Sequence, residues 1–314
     1  PQGPEATGVI GHKGFFYHFV DMQTGHRYRD TELSTVDTAL LMGGFLFAAR
    51  YFDADTPVET EIRQRVQALY ERIEWDWAIV RPDRITMGWR PERGFIPSDW
   101  NVYNEGMLVL LLAMGSPTHP VPPAVWTEWC SVYDQSWTDE WGPAHLHFAP
   151  LFGHQYSHMF VDFRGIRDPW SRAKSAEIGE PFDYFINSQR AVVAQRKYAA
   201  DNPMGWAGYS ADVWGLTACD GPGDFRKVID GRERQFFSYS ARGPGDRDDG
   251  TIAPTAALAS MPFAPQAVTD CLKAMKARYG NAIYTEFGFL DAFNPTLASH
   301  DGPLQHGRIV PGTG

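Results

Sequence analysis

The chain is poor in cysteine and in positive charge, and it has no long apolar run. Three cysteines among 314 residues, widely spaced and unpaired in the sequence, give no disulfide framework and are predicted to be small buried residues. A net charge of −10 argues against nucleic acid or an anionic membrane surface as a partner. No apolar run reaches 18 residues, so membrane insertion is not predicted.

Histidine pairs offer the only hint of a metal site. His154 and His158 have the i, i+4 spacing of a helical zinc site, and His145 and His147 form a second close pair. The glutamate that accompanies such histidines in metalloproteases is absent. We therefore predict that these histidines hydrogen-bond in a polar cleft and that the protein binds no metal.

The composition indicates one ordered globular domain over residues 1–314. Hydrophobic residues make up 43% and charged residues 21%, and no serine- or glycine-rich linker divides the chain. The chain begins at Pro1, without methionine. The expectation is that a preceding segment was removed and that it included a secretory signal. We thus expect a periplasmic or secreted protein, with the cytoplasm as the alternative.

Aromatic residues, 14% of the chain, often lie beside Gly, Pro, Asn or Asp rather than inside apolar helices. Flat rings stack on the C–H faces of sugars, and neighbouring carboxylates and amides hydrogen-bond sugar hydroxyls. Each ring taken alone is more often part of a core. The mixture as a whole favours a carbohydrate cleft, with Trp100, Tyr103 and Trp214 among the candidate contacts.

Nearly all-apolar helices alternate with amphipathic ones, and strand signals are few. Such an alternation is typical of a helical toroid whose inner helices begin at one functional face. The predicted fold is therefore all-α, an (α/α)6 barrel with a few short strands in loops. The predicted helices cover residues 36–52, 57–74, 103–115, 122–136, 150–163, 182–201, 254–260 and 265–279, and residues 203–250 are predicted to be loop with short strands.

Acidic motifs precede two of the apolar helices, which are both expected to be buried. Glu32 and Asp37 lie at the start of the first, and Glu105 lies at the start of the second. A carboxylate in that position can simply cap a helix, with Ser34, Asp37 and Asn104 as the candidate caps. Two acids that converge on one cleft also suffice to cleave a glycosidic bond.

Several motifs, in order, resemble the glucoamylase-like domain of bacterial endo-β-1,2-glucanases and of cyclic β-1,2-glucan synthases. The resemblance covers roughly residues 11–295. It implies an (α/α)6 barrel and hydrolysis of a β-linked glucan without metal or organic cofactor. It departs after residue 295, where no further helix closes the ring, so the last helix is expected to be lacking. The motifs are residues 32–41, Tyr103-Asn104-Glu105-Gly106, residues 115–120, residues 150–158, Asp162-Phe163-Arg164-Gly165, residues 214–218 and residues 288–293.

Chemical reasoning assigns the roles of general acid and second carboxylate to particular residues. Glu105 precedes eight apolar residues, so burial should raise its pKa and make it the general acid. Glu32 is predicted to be the second carboxylate, and Asp37 is its competitor. The helix dipole opposes the effect of burial on Glu105, and the sequence does not decide between inversion and retention.

Substrate contacts are predicted from motif and chemistry together. Asp162 is expected to pair with Arg164 or to contact substrate, and Asp220 and Asp291 follow apolar runs and could bind hydroxyls. The full set of predicted contacts is Tyr103, His154, Gln155, His158, Asp162, Trp214, Asp220 and Trp100.

Three other readings stay open. The first is an enzyme of the same fold that acts in exo mode, on another linkage or by transglycosylation. The second is a carbohydrate-binding protein without catalysis. The third is a helical scaffold for protein partners, which the aromatic residues beside glycines disfavour.

Overall fold

The computed structural model describes residues 1–300 and 305–306. Contacts divide the chain into two compact units, Pro1–Gln135 and Ser136–Gly314. Each unit is described by itself. Within the described residues, no helix combines the length and apolar character that crossing a bilayer requires.

An antiparallel sheet of five short strands, in the order β1-β2-β3-β6-β7, organises the first unit. Phe15, Tyr17 and Leu33 point into the core and are at most 3% exposed. Gly88 is required where β6 meets β3, because a Cβ there would lie 2.5 Å from the carbonyl oxygen of Leu33. The strands of this unit are β1 (Gly11–His12), β2 (Phe15–Tyr17), β3 (Leu33–Ser34), β4 (Ile79–Arg81), β5 (Arg84–Ile85), β6 (Gly88–Arg90) and β7 (Gly94–Phe95).

Helices of the first unit follow the predicted apolar runs in part. The helix that follows Glu105 begins only at Met107, and five of its eight residues are buried. The helix that follows Ser34 is buried in its first half, but Phe47 and Tyr51 are 65% and 71% exposed. The prediction that this helix is buried throughout is therefore wrong, because no described residue covers that face. The helices are α1 (Thr35–Tyr51), α2 (Pro57–Glu71), α3 (Met107–Met114), α4 (Ala124–Cys130) and α5 (Tyr133–Ser136), with a 3-10 turn at Trp75–Ala78.

The second unit packs its helices around a core that includes Trp214, Ile252 and Cys271. Asp168 and Asp183 cap α6 and α7 by accepting backbone N–H groups of their first turns. The helices are α6 (Pro169–Ile178), α7 (Tyr184–Asp201), α8 (Pro254–Leu258), α9 (Pro265–Tyr279) and α10 (Pro295–Ala298). Three 3-10 turns cover Leu151–His154, Tyr156–Met159 and Gly280–Ala282.

Short antiparallel pairs make up the strands of the second unit. The prediction of loop with short strands over residues 203–250 is confirmed. The strands are β8 (Trp137–Thr138), β9 (His145–Leu146), β10 (Ala218–Asp220), β11 (Phe225–Ile229), β12 (Arg232–Phe236), β13 (Tyr239–Ala241), β14 (Tyr284–Thr285), β15 (Gly288–Phe289), β16 (Ala292–Phe293) and β17 (Gln305–His306).

Two predicted helices differ in the structure, and two were missed. Residues 150–163 form two 3-10 turns rather than a helix, and residues 122–136 form two short helices instead of one. The helices α6 and α10 were not predicted. The expected lack of a closing helix concerns the residues after 295. The four-residue helix α10 lies there, and the residues after 300, apart from β17, lie outside the described residues.

All three cysteines, Cys130, Cys219 and Cys271, are free and buried, as predicted.

Candidate active site

A polar row crosses the sheet of the first unit. The strand register pairs Tyr17 with Leu33 and Leu33 with Trp89, so the next positions place His18, Glu32 and Arg90 side by side. The backbone N–H of His18 donates to the carbonyl of Glu32 at 2.9 Å. Directly opposite residues point to the same face of a sheet, so these three side chains meet.

Glu32 is held from both sides of this row. The Nδ1 of His18 lies 2.9 Å from its Oε1, and Nη2 of Arg90 donates to its Oε2 at 3.3 Å. Burial alone would raise the pKa of Glu32, but hydrogen bonds from its own backbone, His18 and Arg90 outweigh burial and lower it. Glu32 is therefore a carboxylate that stays charged.

Asp37 lies in the first turn of α1 and belongs to the cap of that helix. Ser34 is the N-cap: its Oγ accepts from the Asp37 N–H at 3.2 Å and donates to Asp37 Oδ2 at 2.5 Å. The Nε2 of His18 lies 3.6 Å from the same Oδ2. The predicted capping role of Ser34 is confirmed, and His18 connects Asp37 to Glu32.

Glu105 lies in the turn before α3, two residues ahead of its first residue. Burial raises the pKa of Glu105 to about 7, a hydrogen bond from its own backbone opposes this, and the charge of Asp37 raises it further. Its Oε2 is buried and has no hydrogen-bond partner among the described residues. Burial therefore outweighs that hydrogen bond, and near neutral pH a substantial fraction of the Glu105 carboxyl carries a proton that it can donate.

Two predicted contacts beside Glu105 belong to the core of the first unit. The indole N–H of Trp100 donates to Thr35 Oγ1 at 2.8 Å, and Tyr103, 1% exposed, packs against Trp129 and Tyr133. A buried ring has no free face to stack on a sugar. We therefore do not retain Trp100 and Tyr103 as substrate contacts.

The same correction applies to three residues of the second unit. Each of His154, Gln155 and Trp214 is buried. His154 Nε2 lies 3.1 Å from the Phe148 carbonyl, and the Gln155 amide donates to the Ala256 carbonyl and to Ser260, both at 2.9 Å. His154 and Gln155 hold neighbouring segments together, and Trp214 is part of the core of the second unit, so we do not retain the three as substrate contacts.

His158 and Asp162 line one cavity of about 250 Å³ in the second unit. Burial lowers the pKa of His158 to about 4, so the ring is neutral near pH 7. Asp162 is exposed, and its Oδ1 lies 3.0 Å from Nε of Arg164. This ion pair is one of the two roles predicted for Asp162. Both residues remain candidates for contact with a ligand in this cavity.

Asp220 and Asp291 are also neighbours in the second unit. The Asp220 N–H donates to Asp291 Oδ2 at 3.0 Å. Burial raises the pKa of Asp291, although the hydrogen bond from Asp220 opposes the shift. Asp220 is exposed and stays a candidate, and Asp291 joins it as a carboxylate with a raised pKa.

No group of three or more His, Cys, Asp or Glu side chains suited to a metal ion occurs in the described part of the chain. His145 Nδ1 lies 3.0 Å from the Pro143 carbonyl, and burial lowers the pKa of this histidine to about 4.

Sequence reasoning missed His18 and Arg90. They lie in or next to strands of two or three residues, which are too short to show an alternating pattern. The run Phe15-Phe16-Tyr17, one residue before His18, was the one available signal of a strand.

A carboxyl with a pKa near 7, raised in part by the charge of a second carboxylate, is the equipment of a carbohydrate-cleaving site. Residues 97–310 match the profile of the glycoamylase family, described as "Putative glucoamylase". The chain belongs to this glucoamylase-like family, so the resemblance found in the sequence is confirmed.

Relatives with named activities resemble most of the chain. An exo β-1,2-glucooligosaccharide sophorohydrolase (non-reducing end) of Parabacteroides distasonis is 28% identical over 90% of this chain, which spans 40% of that relative's length. The structure of an endo-β-1,2-glucanase from Chitinophaga pinensis, in complex with sophorotriose and glucose, is 25% identical. It has a TM-score of 0.79 and coverage of 96% of this chain and 69% of that one. A structure from Bacteroides uniformis, described as a "putative glucoamylase", is 29% identical and has a TM-score of 0.78. The match covers 93% of this chain and 67% of that one.

Proposed function

We propose that this chain is a glycoside hydrolase that cleaves β-1,2-glucan with Glu105 as general acid. The observation that carries the proposal is the Glu105 carboxyl, whose pKa is raised to about 7 and whose buried Oε2 has no partner among the described residues. The linkage is supported by the names of the Parabacteroides and Chitinophaga relatives.

In the proposed reaction Glu105 donates its proton to the glycosidic oxygen as the bond to the sugar breaks. A second, ionised carboxylate activates a water molecule or forms a covalent intermediate. Asp37 gains support over Glu32 for that role, because its charge acts on Glu105 whereas Glu32 is held by His18 and Arg90. The two carboxylates suffice chemically, so we propose that no metal or organic cofactor is required.

Two variants separate the candidates for the second carboxylate. Asp37→Asn and Glu32→Gln each remove one charge and preserve shape. The expected result is the larger loss of kcat for Asp37→Asn. A larger loss for Glu32→Gln would restore the sequence prediction.

We further propose that the chain folds as one (α/α)6 toroid. We also propose that the protein is periplasmic or secreted. The alternation of apolar and amphipathic helices and the likeness to the glucanase structures support the toroid. The location is supported by the polysaccharide substrate that we propose.

The test is incubation of the purified protein with linear β-1,2-, β-1,3- and β-1,4-glucans and an α-glucan, with and without a chelator. We expect cleavage of β-1,2-glucan alone, unaffected by the chelator. A ladder of short products indicates the endo mode that we favour, whereas a single disaccharide product indicates the exo mode named for the Parabacteroides relative. Activity only on the α-glucan, loss of activity with the chelator, or binding without cleavage would contradict the proposal.

A further inference from the structure

His18 is the one described side chain that faces both Glu32 and Asp37. Its Nδ1 lies 2.9 Å from Glu32 Oε1, and its Nε2 lies 3.6 Å from Asp37 Oδ2. Each ring nitrogen thus faces a carboxylate that comes from a different part of the unit.

The surroundings fix this ring in place. Its backbone N–H is bonded to Glu32, and the ring stacks on Phe19 with centroids 4.2 Å apart and planes 13° from parallel. The groups that face it are Glu32, the residue before β3, and Asp37 from α1, and Arg90 reaches it only through Glu32. One ring thus stands between two carboxylates that come from different elements.

We propose that His18 is a positioning residue, which holds the carboxylates of Glu32 and Asp37 in one fixed arrangement by bridging them with its two ring nitrogens. Its effect on catalysis rests on the proposed function, in which Asp37 acts next to Glu105. The bridge itself does not depend on that function.

The kinetic test uses His18→Ala, with His26→Ala as the matched control from the same segment. The ring of His18 is exposed, so the space left by its removal is open to added imidazole. We expect His18→Ala to lose kcat on the order of 10- to 100-fold, as misplaced catalytic groups do, with KM changed by less than about threefold. Added imidazole should restore part of kcat in His18→Ala and have no effect on the control.

A pH profile separates positioning from a general loss of structure. Without the polar ring of His18 beside it, the charge of Asp37 is less compensated, so the pKa of Glu105 should rise further. The alkaline limb of kcat/KM should therefore move to higher pH in His18→Ala and stay in place in His26→Ala. Full activity in His18→Ala, or a loss without rescue and without a moved limb, would overturn the proposal.

A thermal-unfolding cycle tests the bridge without any activity. The drop in Tm caused by His18→Ala is measured in the wild-type background and in a Glu32→Gln/Asp37→Asn background. We expect a clearly smaller drop in the second background, because the bridge has no partners there. Equal drops would overturn the bridge, and His18→Gln replaces His18→Ala in both tests if the alanine variant does not fold. If the two drops in Tm differ but the protein cleaves none of the glucans, the bridge is confirmed and the proposed function is refuted.

Discussion

The charge of Asp37 raises the pKa of Glu105, and the two residues lie near the starts of different helices of the same unit. Asp37 belongs to the cap of α1, and Glu105 lies in the turn before α3. Burial is the larger cause of the shift. The raised pKa of Glu105 therefore depends on the packing of this unit.

The pH dependence of activity follows from the raised pKa. A general acid is active in its protonated form, so kcat/KM should fall as the pH rises through about 7, where Glu105 loses its proton. Steady-state kinetics between pH 4 and 10 measure this alkaline limb. A limb that lies above pH 9 would show that another group carries the proton.

The same shift predicts a change in stability. The folded-state pKa of Glu105 is higher than its unfolded value of 4.5, so the folded protein binds the extra proton and loses stability as the pH rises from about 4.5 to 7. Above pH 7 this penalty is constant at up to about 3 kcal/mol. Glu105→Gln carries no such charge.

Denaturant unfolding at pH 5 and pH 8 checks this expectation. Glu105→Gln should gain stability relative to wild type at pH 8 and gain little at pH 5. Glu61→Gln, at an exposed glutamate of α2 paired with Arg65, serves as control and should show no such difference between the two pH values. An equal effect of Glu105→Gln at both values would contradict the raised pKa.

A buried ion pair in the second unit supports the structure rather than the chemistry. Arg242 and Asp249 are fully buried, and Nε and Nη2 of the guanidinium each donate to the carboxylate at 2.8 Å. Arg242→Met leaves the carboxylate buried and uncompensated, which should cost about 3–5 kcal/mol of the free energy of unfolding.

The matched control for this pair is Arg226→Met. Arg226 pairs with Glu233 at 3.0 Å, but both side chains are more than 60% exposed, so its removal should cost less than about 1 kcal/mol. Chemical denaturation of both variants measures the contrast. Equal losses would refute the distinction between the buried and the exposed pair.

Sequence patterns predicted the burial and the raised pKa of Glu105, because a run of eight apolar residues after it is a local signal. The row His18–Glu32–Arg90 was not predictable, since it depends on the pairing of residues 14 and 58 positions apart in strands too short to show a period. Trp100 was misjudged because its polar neighbours suggested an exposed ring. Its indole N–H instead finds Thr35, a partner 65 residues away.

The central claim is that Glu105 donates the proton that cleaves β-1,2-glucan, and the initial rate of Glu105→Gln on that substrate tests it most directly. The amide keeps the shape of the side chain but cannot donate an acidic proton, so the variant should fold and bind sugar yet lose on the order of 10²–10⁴ in rate. Glu61→Gln, measured in parallel, should keep its full rate. A folded Glu105→Gln protein that retains more than about a tenth of the wild-type rate would contradict the claim, because the loss would then be far below what a general acid supplies.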